Sequence, residues 1–288
     1  MPKKSIEELN KNWELKTQRG YYVAERNDII QTSTYKLKES TGKSFSLVEK
    51  KLLLYLISRI KPDDTELKLQ QININDFWEV CGYSQTTNGK YTFIKECIEK
   101  LASRVMWLEN EKRIVLVRWI DKAYIEKGNS TINIKLDDNL KPYLLNLKEN
   151  YTQFPLDNII KMKSKYGIAL YEILKSYAYK LKLTIEIDIL KEKLDCVNYT
   201  DNSNFKKKVI NPALNDINTY TDLKVYIEYK KEGKQIKYIV FYIEDLSKSI
   251  ALEDKEEYAR RKHNIEKELD PNQLTLWEIL YNKEGDKE

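Results

Sequence analysis

Several residue types that catalytic and metal sites depend on are scarce in this chain. It has a single histidine, His263, and its three cysteines do not have the spacing of a metal site. A nicking enzyme with a tyrosine nucleophile needs closely spaced histidines around a metal, and a structural zinc site needs Cys or His in pairs. The eight glycines do not form the phosphate-binding pattern G-x-x-x-x-G-K-[ST]. We therefore expect no structural zinc, no cofactor and no ATP-driven activity, and we expect that the protein is not an enzyme.

Two aspartate pairs remain as candidate magnesium ligands. Asp63-Asp64 and Asp137-Asp138 both lie at sequence positions that are typical of turns. Aspartate at a turn ordinarily caps a helix or bonds its own backbone, so we favour capping over metal binding.

Long apolar runs and a large net charge are also lacking. The 50 basic residues are nearly offset by 45 acidic ones, which leaves a formal charge of +5. Any surface that binds nucleic acid must therefore be local. No apolar run is long enough to span a bilayer, and the first residues do not lead into an apolar signal segment. We expect a cytoplasmic protein without a membrane partner.

The clearest pattern of elements runs from Ser164 to Asp245. Helical periodicity is followed by a β-rich run (183–187), a short helix (189–196) and a polar turn (198–204). A longer helix (205–217) and two alternating strands (223–229 and 236–243) complete the pattern. A glycine-containing tetrapeptide, residues 231–234, joins the strands as a hairpin. This order predicts a winged helix, in which the helix after the turn enters a DNA groove.

The polar face of that longer helix is rich in cations and amides. No acid follows on it before Asp216, and the polar residues at its start are Asn202, Ser203, Asn204, Lys206, Lys207, Lys208 and Asn211. Ammonium groups suit phosphates, amides suit base edges, and the N–H groups at a helix start suit an anion. We therefore predict DNA binding, although a lysine triplet is also typical of a face that is only solvated. Pro212 lies within the segment and could instead divide it into two short helices.

A first unit repeats the same order between residues 28 and 150. Ser46 and Glu49 have the spacing of a capping box at the start of its first helix. A strand at residues 67–74, a short helix at 75–81 and a turn come next, and a long helix at residues 90–105 then precedes several β-type runs that extend to residue 136. The fold class predicted is therefore α+β, with two winged-helix domains in tandem.

The two candidate DNA-binding helices are not equivalent. The first offers Asn88, Lys90 and Lys95, but Glu96 and Glu99 follow on adjacent surface. Because carboxylates repel phosphates, we expect the first domain to be the weaker phosphate binder.

The predicted organisation has four parts. Residues 1–27 form an N-terminal arm, residues 28–150 the first winged helix, residues 151–246 the second, and residues 247–288 a charged tail. The tail is dense in charge of both signs until Pro271 and ends in a small apolar cluster.

Three segments resemble the plasmid replication initiators of the Rep_3 (RepB) family. Residues 165–177 look like the first helix of that family's second winged helix, residues 204–213 resemble its recognition helix, including the proline, and residues 46–53 are similar to its first-domain helix. The likeness extends over roughly residues 27–245 and is more specific in the second domain.

The resemblance implies a protein that binds directly repeated sites, called iterons, at a plasmid origin. It also implies monomers that open adjacent AT-rich DNA and recruit the host helicase machinery, and dimers that repress the initiator's own gene. The DNA contacts it implies are Asn204, Lys207, Lys208 and Asn211 in the second domain and Asn88, Lys90 and Lys95 in the first. A dimeric transcription regulator and an adaptor that binds protein rather than DNA are the alternatives.

The β-rich part of the first domain is a candidate for self-association. Val115, Val117, Trp119 and Ile120 lie on one β-type stretch, which could pair with a second copy through an open strand edge. The same residues could equally fill the core of a single chain.

A pentapeptide in the tail resembles the bacterial sliding-clamp-binding motif, Gln-Leu-Ser/Asp-Leu-Phe. It consists of Gln273, Leu274, Thr275, Leu276 and Trp277. An extended peptide of this kind could place Leu276 and Trp277 in an apolar pocket of the clamp. Alternatively, the three-residue spacing of its apolar residues suits one face of a terminal helix that packs on the body.

Overall fold

The structure is a computed structural model that describes residues 21–31, 45–61, 63–83, 89–110, 113–125, 130–233 and 235–247. Elements of the first half are β1 (Tyr22–Arg26), α1 (Asn27–Gln31), α2 (Leu47–Ser58), β2 (Gln70–Asn73), α3 (Ile74–Val80), α4 (Lys90–Ser103), β3 (Val105–Asn110), β4 (Arg113–Arg118), β5 (Ile120–Ile125), β6 (Thr131–Leu136) and α5 (Lys141–Leu144). Those of the second half are β7 (Tyr151–Pro155), α6 (Asp157–Ile160), α7 (Lys165–Tyr177), β8 (Lys182–Glu186), α8 (Ile187–Lys193), α9 (Asn202–Phe205), a π-helical turn (Lys206–Ile210), α10 (Asn211–Tyr220), β9 (Leu223–Glu232) and β10 (Gln235–Asp245).

The first winged helix is built from α2, β2, α3 and α4 followed by a hairpin. Strand β6 lies at the centre of a three-stranded sheet and pairs antiparallel with both β2 and β5. A second hairpin, β3–β4, is inserted between α4 and this sheet. The predicted order of elements is confirmed, including the β-type runs that form this hairpin.

The predicted capping box begins α2 as expected. The Ser46 hydroxyl accepts the Glu49 N–H at 3.2 Å, and the Glu49 carboxylate accepts the Ser46 N–H at 3.3 Å. Two N–H groups that the helix itself leaves unbonded are satisfied in this way.

The second winged helix repeats the plan with α7, β8, α8, the segment 202–220 and the hairpin β9–β10. Its sheet has the order β8-β10-β9, and Phe241 of β10 lies opposite Leu183 of β8. Gly233 has a φ of 61° at the hairpin turn, a conformation that glycine adopts without steric cost.

The predicted arm over residues 1–27 is wrong at its C-terminal end. Residues 22–26 form β1, which pairs antiparallel with β7 from Tyr22↔Pro155 to Arg26↔Tyr151. Val23 and Glu25 are almost fully buried in this ladder. The composition of the segment is polar, but its alternation of buried and exposed residues is that of a strand.

Polar bonds join α1 and α2 to α6 and α7. The Lys51 ammonium is buried and donates to the Ile160 carbonyl, and the Gln31 amide donates to the Ser176 hydroxyl at 2.9 Å. Burial lowers the pKa of Lys51. The apolar residues of both winged helices belong to one continuous core cluster.

The predicted β-rich surface of the first domain is corrected by the structure. Val117, Trp119 and Ile120 are buried in the core, and Val115 packs against it. Alternation along a hairpin places neighbouring residues on opposite faces, so the outward face carries the other set. That set is Trp107, Ile114 and Leu116 of β3 and β4, with 63%, 60% and 46% exposure.

Candidate nucleic-acid interface

The segment 202–220 is one continuous composite helix. Helix α9, the π-helical turn and α10 follow one another without a break, and Pro212 lies in the first turn of α10. The division into two helices at Pro212, which the sequence left open, does not occur. The turn before the proline widens instead, and this accommodates a residue that lacks an N–H and whose ring excludes the carbonyl four residues earlier.

The start of the composite helix is capped by the protein itself. The Asp201 carboxylate accepts the N–H groups of Ser203 and Asn204, both at 3.0 Å. These backbone bonds lower the pKa of Asp201. The Asp201 carboxylate thus already bonds two of the N–H groups at the helix start, and binding of an external anion there stays a prediction.

All three consecutive lysines of the helix are exposed to solvent. The Lys206 ammonium lies 4.8 Å from the centre of the Tyr229 ring on β9, so it faces the hairpin. Among the residues that the structure describes, the Lys207 and Lys208 ammonium groups have no carboxylate or carbonyl partner. These two ammonium groups could therefore bind phosphate oxygens without first giving up a bond within the described part of the chain.

The amide side chains predicted to read bases divide into two groups. The Asn202 side chain accepts a bond from the Lys191 ammonium at 3.0 Å and donates to the Ile236 carbonyl, so it ties the helix to α8 and β10. Asn204 and Asn211 are exposed on the same helix as the lysines. The Asn204 side chain also lies within hydrogen-bonding range of the Asp201 carboxylate.

The opposite face of the composite helix is held tightly against α7. The buried Asp216 carboxylate accepts the N–H groups of Lys163 and Ser164 at 2.8 and 2.6 Å. A Cβ atom at Gly167 would lie 3.3 Å from the Asp216 side chain, which is closer than most such contacts. The helix therefore cannot shift along α7 without losing these bonds.

The hairpin β9–β10 contributes cations that the sequence reasoning did not assign to DNA binding. Lys230 and Lys231 are exposed at the end of β9, next to the hairpin turn. Lys237 of β10 is paired with Glu232 and so contributes less net charge. The sequence signal for this role is the run of lysines that flanks the hairpin turn.

The first-domain candidates are already engaged within the chain. The Lys90 ammonium donates to the Asn75 amide oxygen at 3.0 Å, and Lys95 lies 3.7 Å from the Glu99 carboxylate. Asn88 lies outside the described residues, as do Gln273, Leu274, Leu276 and Trp277 of the tail. The predicted inequality between the two helices stays a prediction for DNA binding, but it is consistent with these bonds.

The described residues also bear on metal binding, on the cysteine thiols and on membrane-spanning helices. Among them, no group of three or more His, Cys, Asp or Glu side chains is placed to hold a metal ion. Cys97 and Cys196 are buried, and burial raises the pKa of each thiol to about 12. No helix of the described ranges combines the length and apolar character that crossing a bilayer requires.

The second domain has a helix with exposed lysines and amides, followed by a hairpin with further lysines. The same order of helix and hairpin occurs in the first domain. This arrangement defines a winged-helix protein of the DNA-binding class. Comparison with protein-family models identifies the family. The model described as initiator replication protein, WH1, matches residues 22–175, and the model described as initiator Rep protein, WH2, matches residues 186–243. The chain belongs to this family of replication initiators.

Individual relatives have low sequence identity to this chain. A curated replication initiation protein of Escherichia coli is 23% identical over 208 residues, which cover 68% of this chain and 64% of that protein. The match thus spans less than two thirds of the relative's length. A crystal structure of domains 2 and 3 of RctB aligns with 70% of this chain and 84% of that one, at 12% identity and a TM-score of 0.42.

Proposed function

We propose that the protein initiates plasmid replication by binding directly repeated sites at an origin, and that the composite helix makes the main DNA contact. The observation that carries the proposal is the exposed pair Lys207 and Lys208, which have no internal partner among the described residues, on the helix of a winged-helix domain in an initiator family. The proposed role is binding and recruitment, without a catalytic step.

The proposed contacts fall into three sets. Lys207, Lys208 and the hairpin lysines Lys230 and Lys231 would bind phosphates and set the position of the protein on the duplex. Asn204 and Asn211 would reach base edges in the major groove. Lys90, Lys95 and Asn88 of the first domain would contribute fewer phosphate contacts, because the two lysines would first have to give up internal bonds.

Footprinting on the DNA that flanks the gene tests this proposal directly. Protection of several directly repeated sites beside an AT-rich tract would support a replication initiator. Protection of one inverted repeat would indicate a transcription regulator instead, and no protection would indicate an adaptor that binds protein.

Changing Lys207→Ala together with Lys208→Ala is expected to weaken binding to the repeated site about 30-fold at physiological salt. It should also reduce the slope of log affinity against log salt by about 2, because two phosphate contacts and their released counterions are lost. Titration by fluorescence anisotropy over a range of salt concentrations measures both quantities.

The matched control is Lys90→Ala together with Lys95→Ala, which removes the same charge from the first-domain helix. We expect a smaller loss of affinity and a smaller change of slope. A loss equal to or larger than that of the second-domain pair would contradict the proposed ranking of the two helices.

We also propose that the chain self-associates through the β3–β4 hairpin. Its outward face carries Trp107, Ile114 and Leu116, which leave a contiguous apolar surface in contact with water. Changing Trp107→Arg should convert dimers to monomers in sedimentation velocity runs without DNA, while the chain stays folded by circular dichroism because the side chain is exposed. Monomers of the unmodified protein at high concentration would contradict this.

Recruitment of host replication proteins, including the helicase machinery, follows from the family resemblance and stays a proposal. The proposed clamp-binding residues Gln273, Leu274, Leu276 and Trp277 lie outside the described part of the chain. Measuring binding of the purified protein to the host clamp, before and after Leu276→Ala with Trp277→Ala, would test that part separately from DNA binding.

A further inference from the structure

The π-helical turn Lys206–Ile210 lies in the middle of the surface proposed to bind DNA. Its defining bond runs from the Asn211 N–H to the Lys206 carbonyl, five residues back rather than four. Such single turns inside α-helices are rare, and they occur frequently at functional sites. The turn therefore needs a physical explanation in terms of what it does to the side chains around it.

An unbroken α-helix could not present all three lysines to solvent. Each α-helical residue advances about 100°, so with Phe205 at 0° the side chain of Ile210 would point to about 140°. Lys206 would point to about 100°, within the arc that these two buried residues enclose. In the structure Phe205 and Ile210 are both buried while Lys206 is exposed, so the wider turn has moved the lysine out of the apolar face.

The apolar pattern shows that one residue is in excess. If one lysine were removed and the helix were α throughout, the five buried apolar residues would fall within an arc of about 100°. These residues are Phe205, Val209, Ile210, Ala213 and Ile217. The chain therefore contains one more residue than the packing of this helix requires, and the extra residue lies among the lysines.

Pro212 favours the widened turn over the regular helix. In an α-helix its ring would clash with the carbonyl of Lys208, and its missing N–H would leave that carbonyl without its usual partner. The sequence thus combines an extra cationic residue with a proline at the point where the excess is absorbed.

We propose that the π-helical turn, stabilised by Pro212, is a positioning device that places three consecutive lysines on the solvent face and so sets the spacing of the helix's phosphate contacts. This proposal rests on the DNA-binding function proposed above. It makes Pro212 a positioning residue, since the ring itself need not touch DNA.

Two variants with equal charge separate geometry from electrostatics. One replaces Lys207→Ala and keeps Pro212, so the widened turn is retained. The other deletes Lys207 and carries Pro212→Ala, so that an unbroken α-helix is sterically allowed. The deletion variant should bind the repeated site about tenfold more weakly than the substitution variant, because its remaining side chains meet the groove in a different phase. Their affinities for unrelated DNA should be alike, since their charges are the same.

Equal affinity of the two variants for the repeated site, with both folded by circular dichroism, would overturn the proposal. If the deletion variant does not fold, Lys206→Ala decides. A lysine on the solvent face changes the salt slope by about one and lowers the melting temperature only slightly, through loss of its contact with the Tyr229 ring. A lysine on the apolar face changes the melting temperature markedly and the salt slope little. If the unmodified protein itself shows no preference for the repeated site, the proposed function fails rather than this inference.

Discussion

Replacing Glu49→Gln is expected to lower the free energy of unfolding by about 3 kcal/mol, because it leaves a buried guanidinium without its carboxylate. The Glu49 carboxylate lies 2.8 Å from the Arg104 guanidinium, and both residues are almost completely buried. The amide would still accept the Ser46 N–H of the capping box, so the loss reports the ion pair rather than the cap. Urea denaturation followed by circular dichroism measures it.

An exposed ion pair on α4 provides the matched control. Glu99→Gln removes the partner of Lys95, where both side chains are more than half exposed. Solvent screening limits such a pair to about 0.5 kcal/mol, so the control should be close to the unmodified protein. A loss for Glu49→Gln as small as that of the control would show that the Arg104 charge is solvated by other means.

Changing Glu25→Gln is expected to remove a marked decrease in stability between about pH 4.5 and pH 8. Burial, and then the negative charge of Glu172, raise the pKa of Glu25 to about 8, although Lys50 opposes the shift. Within the described part of the chain no N–H group bonds the Glu25 oxygens. The two carboxyl groups are within hydrogen-bonding range of each other, which requires a proton on one of them.

The direction of the effect follows from proton binding. Between the unfolded and folded pKa values the folded chain holds a proton on Glu25 that the unfolded chain has released, so folding becomes less favourable as pH rises. An amide mimics the neutral carboxyl and has no such penalty. The stability gained by Glu25→Gln should therefore grow from near zero at pH 4.5 to about 4 kcal/mol at pH 8.

Urea denaturation at several pH values measures this difference. The Lys50 ammonium lies 3.0 Å from the Glu172 carboxylate, so Lys50 and Glu172 are retained in both proteins. The same pH dependence with and without the Glu25 carboxyl would assign the decrease to another group.

The features that the sequence predicted are those with a local cause. The capping box at Ser46 and Glu49 and the glycine turn at Gly233 depend on residues within four positions of each other, and both are confirmed. The order of elements followed from periodicity, which is also local. These signals were sufficient for the winged-helix architecture.

The features that the sequence did not predict have two causes. Some depend on contacts between residues far apart in sequence, and one depends on a small deviation from the α-helical period. Arg104 is the buried partner of Glu49 across 55 residues, and no local pattern marks such a pair. The strand at Tyr22–Arg26 is stabilised by β7, which the polar composition of the segment did not suggest. The sequence of the composite helix does carry the signal, because Phe205 and Ile210 are out of α-helical phase, but the same residues also fit a broad amphipathic face.

The pairing of β1 with β7 has a consequence for the order in which the chain can fold during synthesis. The Thr152 hydroxyl at one end of this ladder bonds the Asn27 side chain, 125 residues earlier. A contact between such distant positions closes a long loop, and its entropic cost must be met before the contact stabilises anything. Strand β1 therefore leaves the ribosome long before β7. The Val23 side chain stays exposed to water until residues 151–155 emerge. The first winged helix and the start of the second must then be completed together.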